Sequence, residues 1–207
     1  MARELFETHP LPPPSTCYGF ILSLVGETQR ERPRGCRVTA TIRGRPAVST
    51  VLRTLWRVKN NNRPQGVRTN ASPGHQQLLT HVNLIFWLDS TDEREADDGP
   101  SLEQRVAIAL DPVRRGETNR FGGLSLGEST HMVDEVSLLT ESLRQRLLLC
   151  FPDAEQRRVF LTAEEGRVDL PVWVDHVGSR GTRSVTGNLK QHALEPPDRA
   201  AVPQIDD

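Results

Sequence analysis

The chain has 207 residues, 36% hydrophobic and 26% charged, with a formal net charge of −1, which suits one substantial core on the polar side of the globular range. Its apolar runs, such as NLIFWL and LLLC, are far shorter than the roughly 20 residues of a membrane span, and no charged-then-apolar signal opens the chain. A soluble cytoplasmic protein without a membrane partner is expected; Cys17, Cys36 and Cys150 are too few and too widely spaced for a disulfide framework or a metal site.

Met1 to Phe6 is polar and short. PPPST (12–16) is predicted to be extended, because each proline fixes its own φ and biases the preceding residue away from helix. Ser15 or Thr16 then serves as the expected N-cap. Tyr18, Ile21, Leu22 and Val25 follow at helical spacing and give one apolar face, and Gly26 ends the helix.

The near-zero net charge conceals segregation. Between Thr28 and Asn70 lie eleven basic residues and one acid, Glu31. A polyanion responds to that local field and not to the chain average. Within the segment, RVTATI (37–42) and AVSTVLRTLWRVK (47–59) are rich in β-branched residues, and the intervening RGRP predicts a hairpin between them. A long basic loop (60–74) and a buried strand (76–88) come next. The acidic stretch 89–98 reads as a solvated loop, and Ser101 caps a helix whose apolar face is Leu102, Val106, Ala109 and Leu110.

RFGGLSLGEST (120–130) is a glycine-rich loop, and 131–139 is predicted to be a strand. SLRQRLLLCF (142–151) fits either helix or strand, RRVFLT (157–162) belongs to the core, and LPVWVDHV (170–177) is a strand ending in the turn GSRGT. From about Thr186 the composition is that of a disordered tail. The order is that of a βαββαβ ferredoxin-like domain without its first strand.

Gly122, Gly123 and Gly127 would let backbone N–H groups approach phosphates, but the loop is neither a P-loop nor GxGxxG. The histidines at 9, 75, 81, 131, 176 and 192 form no HxH or HxxxH pair, so no metal or other cofactor is expected. Metal-independent RNA cleavage needs a base beside the 2′-hydroxyl; His131 is the residue to test for it, and Tyr18 is assigned to packing. No nucleophile motif occurs, so no catalytic residue is assigned. There is no aromatic strip for stacking bases, and Trp56, beside Arg57, is the one candidate platform. RNA would therefore be held mainly through its backbone.

Three stretches together resemble the CRISPR-associated Cas-five family. ETHPLPPPSTCYGFILSLVGE (7–27) resembles its N-terminal signature, where an extended Pro-Pro-Ser segment enters the first helix of an RNA-recognition-motif-like fold. RFGGLSLGESTHMVDEV (120–136) resembles its glycine-rich loop and following strand, and LPVWVDHVGSRGT (170–182) is similar to the C-terminal part of some subtypes. The basic hairpin falls where the family carries a protruding thumb. The resemblance implies an α+β, ferredoxin-like/RRM-like domain over residues 1–185, with a thumb insertion at about 43–75 and a tail at 186–207.

It also implies a non-catalytic subunit of a type I Cascade complex. Such a subunit grips the 5′ handle of the guide RNA, contacts the backbone and large subunits, and lies near the flanking motif of the target DNA. One subtype uses this subunit as the ribonuclease that processes repeat RNA, which is the alternative. The expected RNA-binding residues are Arg43, Arg45, Arg53, Trp56, Arg57, Lys59, Arg63 and Arg68, together with Arg120, Gly122 and Gly123. Members of the family begin with a strand ahead of this signature, which here would have to come from upstream of Met1 or from elsewhere.

Overall fold

The computed structural model describes residues 5–56, 70–94, 99–128, 131–175 and 180–206. It is an α+β chain with three α-helices and two sheets among the described residues, consistent with a ferredoxin-like, RRM-like fold. Two compact units divide it: Met1–Pro10 with Gly44–Asn83, and Leu11–Arg43 with Leu84–Asp207.

The first unit is a three-stranded sheet. β1 (Leu5–Phe6) runs parallel to β4 (Ala71–Thr80), and β4 pairs antiparallel with β3 (Ala47–Trp56). The β3–β4 ladder keeps one register from Ala47 opposite Thr80 to Trp56 opposite Ala71. Such a continuous two-stranded ladder is the economical way to satisfy the backbone of a β-branched stretch.

The second unit holds the core. Its sheet has the order β5-β2-β6-β8-β7, where β2 is Arg37–Arg43, β5 Asn83–Asp89, β6 Arg157–Thr162, β7 Val168–Trp173 and β8 Arg183–Gln191. Helix α1 (Pro14–Val25) packs on β2, β7 and α2 (Leu102–Leu110). Val38, Ala40 and Ile42 alternate along β2 into the cluster that holds Cys17, Phe20, Ile21 and Phe160. Pro171 sits in β7, at the end of the strand order and beside a register shift, where a missing N–H is tolerated. Helix α3 (Glu141–Cys150) is capped by Thr140, whose side chain accepts from Leu143 N–H.

Several expectations are corrected. Neither Ser15 nor Thr16 caps α1: Pro13 is the N-cap and Pro14 the first helical residue, so both lie inside the helix. Proline at the first position lacks the N–H that a side chain would have capped, and its φ is already helical. α1 is also buried nearly all round, not on one face: Cys17, Phe20 and Leu24 join the expected residues, as befits a helix enclosed by a sheet and a second helix.

The hairpin expected between 37–42 and 47–59 does not form. β2 and β3 lie in different sheets, and β3 pairs with β4 instead. The single strand expected at 76–88 is divided into β4 and β5 at His81, whose φ of 57° is left-handed and ends the ladder. Residues 131–139 form no strand: Met132 makes a lone bridge to Ser125, and Val133 N–H donates to Leu124, turning the segment back on its own loop.

The region from 186 onward is not a disordered tail. β8 is an interior strand paired with β6 and β7, and Leu194, Val202 and Ile205 are buried. The backbone of Ile205 pairs with Cys36 and Gly35. β1 joins the other sheet, so among the described residues no strand ahead of α1 enters the five-stranded one.

Candidate nucleic-acid interface

The sequence-predicted residues fall on both units. In the first, Arg45 is exposed, and Arg53 Nη1 donates to Gln76 Oε1 at 2.9 Å across the β3–β4 ladder. Trp56 ends β3 opposite Ala71. Arg57, Lys59, Arg63 and Arg68 lie outside the described residues. Residues 44–83 contain Arg45, Arg53 and these four cations with no acid among them, and the unit's acids, Glu4 and Glu7, lie in its separate N-terminal segment.

In the second unit, Arg43 ends β2 half-buried, its guanidinium carbon 5.6 Å from the centre of the Phe151 ring. Burial lowers its pKa from the ordinary value. The glycine-rich loop is exposed at Arg120, Phe121, Gly122 and Gly123. Arg120 Nη1 donates to the Gly122 carbonyl at 3.3 Å, and Gly122 has φ 82°. The loop is anchored below by Leu124 and Leu126, which pack on the core, and by paired backbone bonds from Leu126 to His131 and from Val133 to Leu124.

Its entry is fixed by Gly26, the left-handed C-cap of α1. A Cβ there would overlap the Asn119 carbonyl oxygen and lie 3.0 Å from its carbon. The end of the first helix thus seats the residue immediately ahead of Arg120.

Not all of the basic segment faces outward. Arg30 lies over the Trp173 ring at 3.7 Å and donates to the Val174 carbonyl at 2.7 Å; Arg34 lies over the same ring at 4.5 Å. Such stacked guanidiniums favour burial of the indole face. Tyr18 donates to the Arg30 carbonyl at 2.6 Å, and its buried hydroxyl has its pKa pushed up by desolvation. Arg37 faces Asp92 at 3.6 Å and donates to the Val202 carbonyl. Arg30, Arg34 and Arg37 are therefore scaffold, while Arg32 is exposed and Arg43 half-buried.

His131 donates its backbone N–H to Glu128. The better-organised histidine is His192, which the tail assignment had concealed. Its Nδ1 lies 3.1 Å from Thr41 Oγ1, Trp87 Nε1 donates to the same hydroxyl at 2.7 Å, and the Trp87 ring stands edge-on at 5.3 Å. Burial pushes its pKa below the ordinary 6.5. The unfolded chain then takes up the proton more readily, so stability should fall as pH drops through 6.5 and level off once the folded imidazole is protonated. In urea titrations between pH 7.5 and 5.5, His192→Gln should flatten that slope. An unchanged slope would place the proton uptake elsewhere.

Among the described residues, no group of three His, Cys, Asp or Glu could hold a metal ion, and no helix is long and apolar enough to cross a membrane. No protein-family model matches the chain. It is, however, 50% identical over 204 residues to the CRISPR-associated protein Cas5 of Myxococcus xanthus (strain DK1622), covering 99% of this chain and 89% of that protein. Identity of that extent spans the helix α1 signature, the basic segment, the glycine-rich loop and the C-terminal strands alike, and the chain belongs to the Cas5 family of CRISPR-associated proteins.

Proposed function

We propose that this chain is the non-catalytic subunit of a type I Cascade complex that binds the 5′ handle of the guide RNA and caps the assembly for RNA-guided DNA recognition. The observation that carries the reading is the acid-free run of six cations over residues 44–83, in a compact unit of its own, within a Cas5-family chain. Sequence-independent grip on a phosphate backbone needs such a field, with few aromatic platforms and little base readout. Arg45, Arg53, Arg57, Lys59, Arg63 and Arg68 hold phosphates, with Trp56 as a stacking surface. Arg43, Arg120 and the backbone at Gly122 and Gly123 receive the handle in the second unit. The backbone and large subunits of Cascade are its protein partners, near the flanking motif of the target DNA, in the cytoplasm.

Co-purification with the products of neighbouring genes, followed by sequencing of bound RNA, tests the assembly. Arg57→Ala with Arg63→Ala should weaken binding of repeat RNA and reduce the slope of log K against log salt by about 1.4, since each contact to a single strand contributes about 0.7. A slope equal to the wild type's would count against the reading. Cleavage of repeat RNA by the chain alone, lost in His131→Ala, would move it to the ribonuclease branch.

A further inference from the structure

Three arginines in adjacent rungs crown the end of the five-stranded sheet where β2 stops and β6 begins. Arg43 stands opposite Arg157, and Ile42 opposite Arg158. Residues directly opposite share a face and residues adjacent in a strand do not, so Arg43 and Arg157 project from one face and Arg158 from the other. Like charges placed directly opposite destabilise a sheet.

None of the three has a carboxylate partner among the described residues: the ion pairs there engage Arg37, Arg94, Arg105, Arg114, Arg144 and Arg199. Arg157 is 8% exposed and donates only to neutral acceptors, the carbonyls of His192 at 3.1 Å and Phe151 at 2.5 Å. Its charge stays uncompensated. The Nε atoms of Arg43 and Arg158 are buried without any hydrogen-bond partner. Arg34 and Arg37 have a buried, unpartnered Nε too, but the first lies over Trp173 and the second beside Asp92. An unmade bond from a buried charged donor costs on the order of 1–3 kcal/mol or more, and such a group in a folded protein calls for an explanation such as a bound ion.

Phe151 supplies the remaining piece. Its ring lies near the guanidinium of Arg43 while its carbonyl holds Arg157. A guanidinium supported by an aromatic ring keeps its edge donors for a planar, bidentate oxyanion.

We propose that this sheet end is a phosphate-binding site, with Arg43 and Arg157 clamping one oxyanion and Arg158 engaging a neighbouring one along a nucleic-acid backbone. The proposal rests on the RNA-binding reading above and adds two residues to it, Arg157 and Arg158. It also gives the Nε donors of Arg43 and Arg158 an acceptor.

The test is the double variant Arg43→Gln, Arg158→Gln; Arg157 is left intact because its carbonyl contacts hold Phe151 and His192. Both replaced side chains lack hydrogen-bond acceptors in the fold, so the urea midpoint should stay level or rise. Affinity for a repeat-derived RNA oligonucleotide at ~0.15 M salt should fall about tenfold, and the log–log salt slope should shrink by about 1.4. In a parallel arm, millimolar inorganic phosphate should raise the melting temperature of the wild type but not of the variant, which separates a free oxyanion from a backbone phosphate as the ligand. Wild-type RNA affinity and slope in the variant, or a clear loss of its stability, overturn the site. A wild-type chain that binds no RNA overturns the broader reading instead.

Discussion

Removing residues 192–206 should leave a chain that no longer folds under conditions where the full chain is native. The stretch looks dispensable by composition, yet Leu194, Val202 and Ile205 are 0%, 5% and 0% exposed. Burying three such side chains contributes roughly 4.5–9 kcal/mol at about 1.5–3 kcal/mol each, against a net stability of about 5–15 kcal/mol for a domain. The backbone loss adds to this. Ile205 N–H donates to Cys36 at 2.8 Å, Gly35 N–H to Ile205 at 2.8 Å, and Val38 N–H to Pro203 at 3.0 Å. Cys36 and Val38 are fully buried, so their freed polar groups would face a dry core. The exposed pairs of Arg199 with Asp89 and Asp92 add little beside these terms.

A milder version keeps the chain length constant. Ile205→Ala should cost about 2–5 kcal/mol in urea unfolding, while Leu149→Ala, at a position 80% exposed, should stay within about 0.5 kcal/mol. A truncated chain with the wild-type midpoint would mean that the C-terminal segment lies against the core without supporting it.

What was legible in the sequence was local. Gly26 as the stop of α1, and Ser101 as the cap of α2 in a full capping box with Gln104, depend on residues within one turn of each other. The expectations that failed depended on a distant partner. RGRP between two β-branched runs reads as a hairpin turn, but β2 is interior and buried on both faces, so its neighbours are β5 and β6, while β3 finds β4. Nothing in residues 37–59 states that choice. The C-terminal stretch EPPDRAAVPQIDD failed for the same reason: its few apolar residues have no period, and their burial depends on the slot beside Cys36.

The candidate site divides in the same way. The charge of the basic segment was visible by counting. Which arginines are scaffold was not, because Arg30 and Arg34 are assigned by Trp173, some 140 residues away in sequence. Arg157 and Arg158 open RRVFLT, which reads only as part of the core until the register sets Arg157 opposite Arg43.

Gly26 and Gly122 have nearly the same backbone, φ 71° and 82°, and replacing each with alanine should give very different results. At both positions an L-residue in the left-handed region costs roughly 1–2 kcal/mol. At Gly122 that should be nearly the whole cost, since no atom lies within 4 Å of the added Cβ. At Gly26 the Cβ would overlap the carbonyl oxygen of Asn119 and approach Arg120 Cα at 3.3 Å. These are backbone atoms, which cannot swing aside as a side chain does, so overpacking adds about 1–3 kcal/mol. Either the helix end or the loop must shift, and α1 is enclosed by β2, β7 and α2, whereas Asn119–Gly123 is exposed. The loop should yield. Gly26→Ala should therefore be destabilised by about 2–5 kcal/mol and should also bind repeat RNA more weakly, because Arg120 is carried with the loop. Gly122→Ala should lose only the roughly 1–2 kcal/mol of the left-handed backbone and so separate the two effects. Equal urea midpoints for the two variants would mean that the α1 cap does not seat the loop, and a destabilised Gly26→Ala with unimpaired RNA binding would remove Arg120 from the interface.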